Sequence, residues 1–291
     1  RTGLVQVVVN PRVSEEANKT ASELRPEFAV SIKGKVKMRP ERLINPKLES
    51  GTVEVEALEL EILSAAETLP FDMGSESLNL ELPTLLDNRA LTLRHEKVKA
   101  IFKVENVILE AFRSFMISQD FFEFQAPSII PAVPEGGAEV FEVKYFEHKA
   151  FLAQSPQLYK QILVGAFERV FTVNKVFRAE PSVTTRHLAE IVCLDAEMGF
   201  IDSWKDVEKM SGDTIKFILN EVRDKCKDEL ELFASTVPKI TDEIPSLKLR
   251  EAQQIIFERT GRDHRNEKDL DPEDEREICK WALEERQSDL V

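Results

Sequence analysis

The sequence predicts an α+β protein in which strand-rich and helix-rich stretches are segregated along the chain, and three observations carry that expectation. Within residues 1–64 apolar side chains recur at every second position, the period of a half-buried strand. Over residues 96–117 they recur at helical spacing instead. Residues 169–180 and 190–200 then alternate again, which sets a sheet beside helices. A length of 291 residues gives room for about two domains, each with its own core.

Taken in order, residues 4–9 read as a strand. Ser14 then caps a short helix with Ala17, Ala21 and Leu24 at helical spacing, stopped before Pro26. Residues 28–38 alternate Val30, Ile32, Val36 and Met38 against lysines. Val53, Val55 and Ala57 alternate with Glu54 and Glu56, and the phase flips at Leu58, Leu60 and Ile62, as a bulge in a small closed barrel requires. Strand, helix and further strands within about 70 residues suit part of a five-stranded OB-type barrel. Residues 69–88 hold Pro70, Gly74, Ser75, Ser77 and Pro83 and read as an interdomain hinge. The amphipathic helix at 96–117 presents Val98, Ile101, Ile108, Phe112 and Phe115, and feeds a strand-like FFEFQAP ended by Pro127. Residues 204–226 and 249–260 read as helices. Asp271 and Pro272 start a last charged helix that runs to Arg286.

Composition narrows the class. Hydrophobic residues at 42% and charged residues at 32% are ordinary for a soluble globular protein. No apolar run approaches the ~18 residues a bilayer span needs, and residues 1–10 lack the layout of a secretory signal. Cys193, Cys226 and Cys279 show no metal-binding spacing, and such a scattered set fits a reducing, cytoplasmic compartment. The net charge of −14 divides unevenly: residues 1–50 carry +4 and the remainder −18. A basic N-terminal module on an acidic body holds RNA locally; equally, Lys33, Lys35, Lys37 and Arg39 read as the solvated face of a strand.

Most of the chemistry lies in residues 154–180, QSPQLYKQILVGAFERVFTVNKVFRAE, followed by Thr185, Arg186, His187 and Leu188. Ser155 and Pro156 form a helix start, with the hydroxyl capping and proline at the first helical position. Gln157 and Lys160 share one face of that helix, which gives way to a strand near Gly165. On the strands, Arg178 and Glu180 point one way, and Asp195 and Glu197 lie opposite the apolar face of Val192, Leu194, Ala196, Met198 and Phe200. Arginine and carboxylates on a sheet face, beside a helix carrying glutamine and lysine, suit a small zwitterion and a polyphosphate. Taken singly, Arg178 and Glu180 also read as a cross-strand ion pair, and Lys160 as a solvated helix residue.

Together these segments resemble the class II aminoacyl-tRNA synthetases. FRAE followed by TTRHL resembles their motif 2, FFEFQAP their motif 1, and QSPQLYK the aspartate-specific subgroup. Glu135, Gly136, Gly137 and Ala138 resemble that subgroup's loop over the amino acid, and the stretch from TGLVQVVV to GTVEVEALELEIL resembles its anticodon-binding barrel. The resemblance covers essentially the whole chain and implies three parts. Residues 1–68 are an anticodon-binding OB-type barrel, 69–93 a hinge, and 94–291 an antiparallel-sheet catalytic domain flanked by helices. It further implies that both domains are incomplete here, since nothing resembles the glycine-rich motif 3.

The activity implied is ATP-dependent activation of L-aspartate to aspartyl-adenylate and transfer to tRNA(Asp), with tRNA(Asn) a second acceptor to consider. ATP and Mg2+ are the implied cofactors, with no magnesium ligand named, and a homodimer built on motif 1 is the implied assembly. Arg178 would bridge the attacking carboxylate and the α-phosphate, and Glu180 would accept from the adenine amino group. Arg186 and His187 would hold the outer phosphates, and Leu188 would belong to the same ATP-binding set. Lys160 would read the side-chain carboxylate of aspartate, with Gln157 and Ser155 beside it. Glu135 would accept from the substrate ammonium, and Asp195 would support that ammonium or the Gln157 amide. Gln6, matching the family's LVQV strand, would contact the anticodon. The competing readings are an asparaginyl enzyme, and a paralogue that binds RNA without charging it.

Overall fold

The computed structural model describes residues 3–46, 48–75, 77–133, 140–179, 188–240 and 243–291. The chain divides into two compact units, Arg1–Thr92 and Leu93–Val291.

The first unit contains β1 (Val7–Val8), α1 (Glu15–Ser22), β2 (Ala29–Met38), a short 3-10 turn (Glu41–Leu43), β3 (Val53–Ser64), α2 (Leu82–Asp87) and α3 (Arg89–Thr92). Strand β3 is central, parallel to β1 and antiparallel to β2. Ser14 caps α1 as expected, its Oγ accepting from the Ala17 amide at 3.2 Å. Of the three helical positions anticipated there, Ala17 alone is fully buried. The register steps from Lys33 opposite Glu59 to Gly34 opposite Ala57, so Leu58 is an extra, unpaired residue. That bulge is the physical origin of the phase flip at Leu58. Gly34 is required beside it, because a Cβ there would lie 2.4 Å from the Glu56 carbonyl oxygen.

Several expectations for this unit need correction. The first strand shrinks to two residues. Beyond the bulge Val36 and Met38 lose their covered face and stand 70% and 72% exposed. The segment read as a hinge also holds two short helices, α2 and α3, which does not bear on that reading. The basic face is also largely neutralised by its neighbour strand. Lys33 pairs with Glu59 at 2.6 Å and Lys37 with Glu56 at 2.5 Å, and Lys35 stands opposite Glu56.

The second unit contains α4 (Glu96–Ser118), β4 (Phe122–Glu123), β5 (Ile129–Ile130), β6 (Glu142–Tyr145), β7 (His148–Leu152), α5 (Gln157–Phe167), β8 (Arg169–Phe177), β9 (Glu190–Met198), α6 (Trp204–Lys225), α7 (Lys227–Leu232), α8 (Leu249–Thr260) and α9 (Pro272–Arg286). Strand β8 pairs antiparallel with β9 and parallel with β4, while β7 lies between β5 and β6 in a separate sheet. Phe112, Phe115 and Met116 of α4 meet Phe121 and Phe171 in one core, joined by Val173, Leu194 and Met198 and by Met210, Phe217 and Ile218 of α6. Helices α4 and α6 therefore cover the odd-numbered face of β8. The Phe112 and Phe171 rings meet edge to face with centroids 5.6 Å apart, a geometry the ring quadrupoles favour.

Helix α6 begins in a capping box made by Ser203 and Asp206. Helices α8 and α9 fall where the sequence places them, with Asp271 Oδ1 accepting from the Glu273 and Asp274 amides at 2.8 Å each. Three anticipated details fail. Ile101 is 55% exposed although it shares the apolar spacing of α4. The strand after α4 has only two residues. Strand β9 stops at Met198, because the chain turns at Gly199 and Phe200, where Phe200 has φ 54° and is 89% exposed.

Candidate functional site

The even-numbered face of β8 faces away from the α4–α6 core, and α5 packs on β8 and β9. Register fixes what shares that face. Val170 stands opposite Glu197, Thr172 opposite Asp195, Asn174 opposite Cys193 and Val176 opposite Ile191. Continuing the alternation, Arg178 belongs to the same face one step beyond the strand, its amide donating to the Ala189 carbonyl at 3.1 Å. Its side chain is exposed.

Helix α5 delivers a cation to this face. Its start differs slightly from expectation: Pro156 sits at the cap, with its carbonyl accepting from the Lys160 amide at 3.0 Å. Ser155 still acts there, its Oγ accepting from the Gln157 amide at 3.2 Å. The helix continues past Gly165 to Phe167 and ends at Glu168, which has φ 64°. Gln157 and Lys160, three residues apart, lie along one side of its first turn.

Lys160 Nζ donates to Asp195 Oδ1 at 2.8 Å and lies 3.5 Å from Glu197 Oε2. The Lys160 and Asp195 side chains are only 13% and 12% exposed. Burial pulls the Lys160 ammonium toward neutrality, but the Asp195 hydrogen bond and the charges of Asp195 and Glu197 outweigh it and raise its pKa. Burial first, and then Asp195, push the Cys193 thiol up, while Lys160 and Arg178 pull it down. Cys193 thus lies within electrostatic reach of both cations.

The face therefore carries a lysine held by two carboxylates toward one end and a solvent-open guanidinium toward the other. Such a layout can hold a small molecule bearing two carboxylates, one at each cation. Of the anticipated residues, Ser155, Gln157, Lys160, Arg178 and Asp195 belong to this region. Leu188 is 56% exposed, two residues before β9 begins. Glu135, Glu180, Arg186 and His187 lie outside the described residues. Gln6 belongs to the first unit, where its carbonyl accepts from the Val55 amide at 2.9 Å and its side chain donates to Glu54 at 3.4 Å.

Asp195 meets Lys160 rather than the Gln157 amide, and Glu197 joins it as a second partner that the anticipated set lacked. The alternation of β9 already placed Glu197 beside Asp195; what the sequence did not give was the side chain α5 would aim at them. Among the described residues, the one group of three side chains able to hold a metal is His264, Asp271 and Asp274, at the start of α9. On the site face, Asp195 and Glu197 are taken by the lysine, so no described residue there is assigned to magnesium.

Residues 81–291 match the family described as tRNA synthetases class II (D, K and N), and residues 1–63 match the OB-fold nucleic acid binding domain. An aspartate–tRNA(Asp/Asn) ligase of Deinococcus radiodurans is 40% identical over 91% of this chain and 59% of its own length. An enzyme of the same name from Aeropyrum pernix is 40% identical over 100% of this chain and 65% of its own. An aspartate–tRNA(Asp) ligase of Pyrococcus horikoshii is 37% identical over 100% of this chain and 65% of its own. The chain thus spans about three-fifths of the length of these relatives. Among solved structures, asparaginyl-tRNA synthetase of Pyrococcus horikoshii with asparaginyl-adenylate superposes with a TM-score of 0.81 at 30% identity, over 96% of this chain and 63% of that one.

Proposed function

Since the chain belongs to the class II tRNA synthetases of the D, K and N group, we propose that the protein activates L-aspartate with ATP and transfers the aspartyl group to tRNA(Asp), with tRNA(Asn) as a second acceptor. The observation that carries the choice of aspartate is Lys160, a withdrawn lysine whose charge is retained by Asp195 and Glu197. A desolvated ammonium favours carboxylate over amide, because an amide leaves the charge without its counter-ion.

In this reading Lys160 holds the substrate's side-chain carboxylate and Arg178 its α-carboxylate. The α-carboxylate oxygen attacks the α-phosphorus of ATP, the bond to the β-phosphate oxygen breaks, and pyrophosphate leaves with its electron pair. Such a displacement needs positioning and charge neutralisation more than a protein nucleophile. The Arg178 fork engages an oxygen of each reacting group at once. Glu180 accepts from the adenine amino group, Arg186 and His187 hold the outer phosphates, with Leu188 beside them, and Glu135 accepts from the substrate ammonium. Gln157 and Ser155 line the amino-acid side, while Asp195 fixes Lys160. The divalent ion that accompanies ATP neutralises phosphate charge when bound, and is not assigned to residues of this chain.

Residues 1–68 serve as the anticodon-binding barrel, 69–93 as the hinge and 94–291 as catalytic domain, with Gln6 at the anticodon. A homodimer through the α4–β4 region accords with Phe122 and Phe167, which stack at 4.3 Å yet remain 49% and 45% exposed. A cytoplasmic location follows from the tRNA partner; no helix of the described residues is long and apolar enough to cross a membrane. The deciding experiment is aspartate-dependent ATP–pyrophosphate exchange, with asparagine and lysine as controls. It is run on the 291-residue chain and on one extended to the length of its relatives. Exchange with aspartate is expected. Its absence from both forms overturns the reading in favour of an RNA-binding paralogue.

A further inference from the structure

Two polar side chains on the site face have no part in the chemistry above. Thr172 is fully buried, and among the described residues its Oγ1 has no hydrogen-bond partner. Asn174, two residues on, buries an Oδ1 that likewise has none. Both stand on β8 and share the face of Asp195, with Thr172 directly opposite it and Asn174 opposite Cys193. A buried oxygen without a donor or acceptor is costly, and native proteins pair such groups with protein or with ordered water.

The spacing says which. Side chains two apart on a strand stand about 6.5–7 Å from one another, too far for a direct hydrogen bond. Two hydrogen bonds of about 2.8 Å reach at most about 5.6 Å, so one water joins the two oxygens where the longer Asn174 side chain leans toward Thr172. Asp195, directly across the ladder from Thr172, brings a carboxylate whose Oδ1 is taken by Lys160 and whose other oxygen is a third possible partner. Three polar partners are what a buried water ordinarily has. The location also has a meaning, because Cys193, opposite Asn174, lies within reach of both Lys160 and Arg178. In the proposed binding mode, an aspartate spanning those two cations would lie over this stretch of β8.

We infer that Thr172 and Asn174 are positioning residues of the amino-acid pocket, holding with Asp195 one ordered water beneath the substrate. The Thr172 hydroxyl donates to the water, and the water donates to Asn174 Oδ1 and to the Asp195 carboxylate. This anchors Asp195 from the side opposite Lys160. When a substrate carboxylate draws the lysine toward itself, Asp195 stays in place and the lysine keeps its aim.

The inference rests on the proposed aspartate activation, and its tests are chosen to fail separately. In the full-length protein, Thr172→Val removes the hydroxyl and keeps the shape. The expected result is a rise of about tenfold in KM for aspartate, the loss of one hydrogen bond, with KM for ATP unchanged and recovery in Thr172→Ser. An unchanged KM for aspartate, or an equal rise in both constants, overturns the assignment. A melting measurement gives an answer independent of activity. A hydroxyl satisfied by water makes Thr172→Val less stable than wild type, whereas a truly orphaned one makes it more stable, which also overturns the inference. If the wild type shows no aspartate-dependent exchange, the functional reading falls. The water is then judged by a high-resolution crystal structure, where no density between Thr172, Asn174 and Asp195 refutes it.

Discussion

Replacing Lys160 with methionine keeps the length of the side chain and removes the one positive charge between Asp195 and Glu197. The two carboxylates contact the same Nζ at 2.8 and 3.5 Å, so their nearest oxygens lie no more than about 6 Å apart. At an effective dielectric of about 20, their uncompensated repulsion is about 3 kcal/mol. Removing one partner of a fully buried ion pair costs about 3–5 kcal/mol, and the 28% exposure of Glu197 brings the expectation here to about 2–3 kcal/mol. The raised Lys160 contributes stability that is fully present below its ordinary value of 10.5 and is lost only as pH rises through the higher folded value. At neutral pH the variant therefore shows its full deficit. Urea unfolding at neutral pH measures the effect. The same variant should lose about 10²–10³-fold in aspartate-dependent exchange, as expected when one member of a buried charge pair is removed. Adding Asp195→Asn removes one of the repelling charges and should restore part of the stability without restoring exchange. Unfolding at the wild-type urea concentration, or near-normal exchange by Lys160→Met, refutes the argument.

Three other substitutions test separate parts of the reading. Arg178→Ala removes an exposed side chain, so stability should stay within about 0.5 kcal/mol while aspartate activation falls by about 10³-fold or more, read by melting and by pyrophosphate exchange. Gln6→Ala should weaken tRNA charging by about 1–3 kcal/mol, the usual value of a base contact, and spare adenylate formation; equal loss of both steps would sink that division of roles. Gly34→Ala places a Cβ 2.4 Å from the Glu56 carbonyl oxygen and should cost about 1–3 kcal/mol, measured as faster amide exchange in β2 and β3. Unaltered exchange there would mean that the bulge is wrongly placed.

What the sequence conveys well here is local chemistry. Ser14 is an N-cap because its hydroxyl serves an amide three residues on, and Asp271 with Pro272 starts α9 for the same kind of reason. The Leu58 bulge was legible because alternation cannot change phase without an extra residue. Partners drawn from other elements were not legible. Val36 and Met38 have the spacing of a buried face, but among the described residues they stay 70% and 72% exposed beyond the bulge. The lysines of β2 look basic until β3 brings glutamates across the ladder. The motif around Lys160 singles it out, yet its embrace by Asp195 and Glu197 depends on how α5 lies on the sheet. Thr172 and Asn174 carry no sequence signal, since only the fold shows that their oxygens are buried without partners.

The α8–α9 hairpin closes on itself. Ala252, Ile256 and Ile278 form a core with Leu247, Ile255, Leu270 and Trp281, all drawn from one short stretch of chain. Its charged contacts are equally local: Arg259 reaches Glu277 and Glu284, Arg262 lies 3.0 Å from the buried Asp274, and His264 Nδ1 lies 2.7 Å from the same residue. Contacts so near in sequence close small loops, so this hairpin is expected to form early in folding. It can also open as one, exchanging its amides together while the β8–β9 ladder stays shut. Sequence changes within it should therefore alter local opening rates long before they reach the face that carries Lys160.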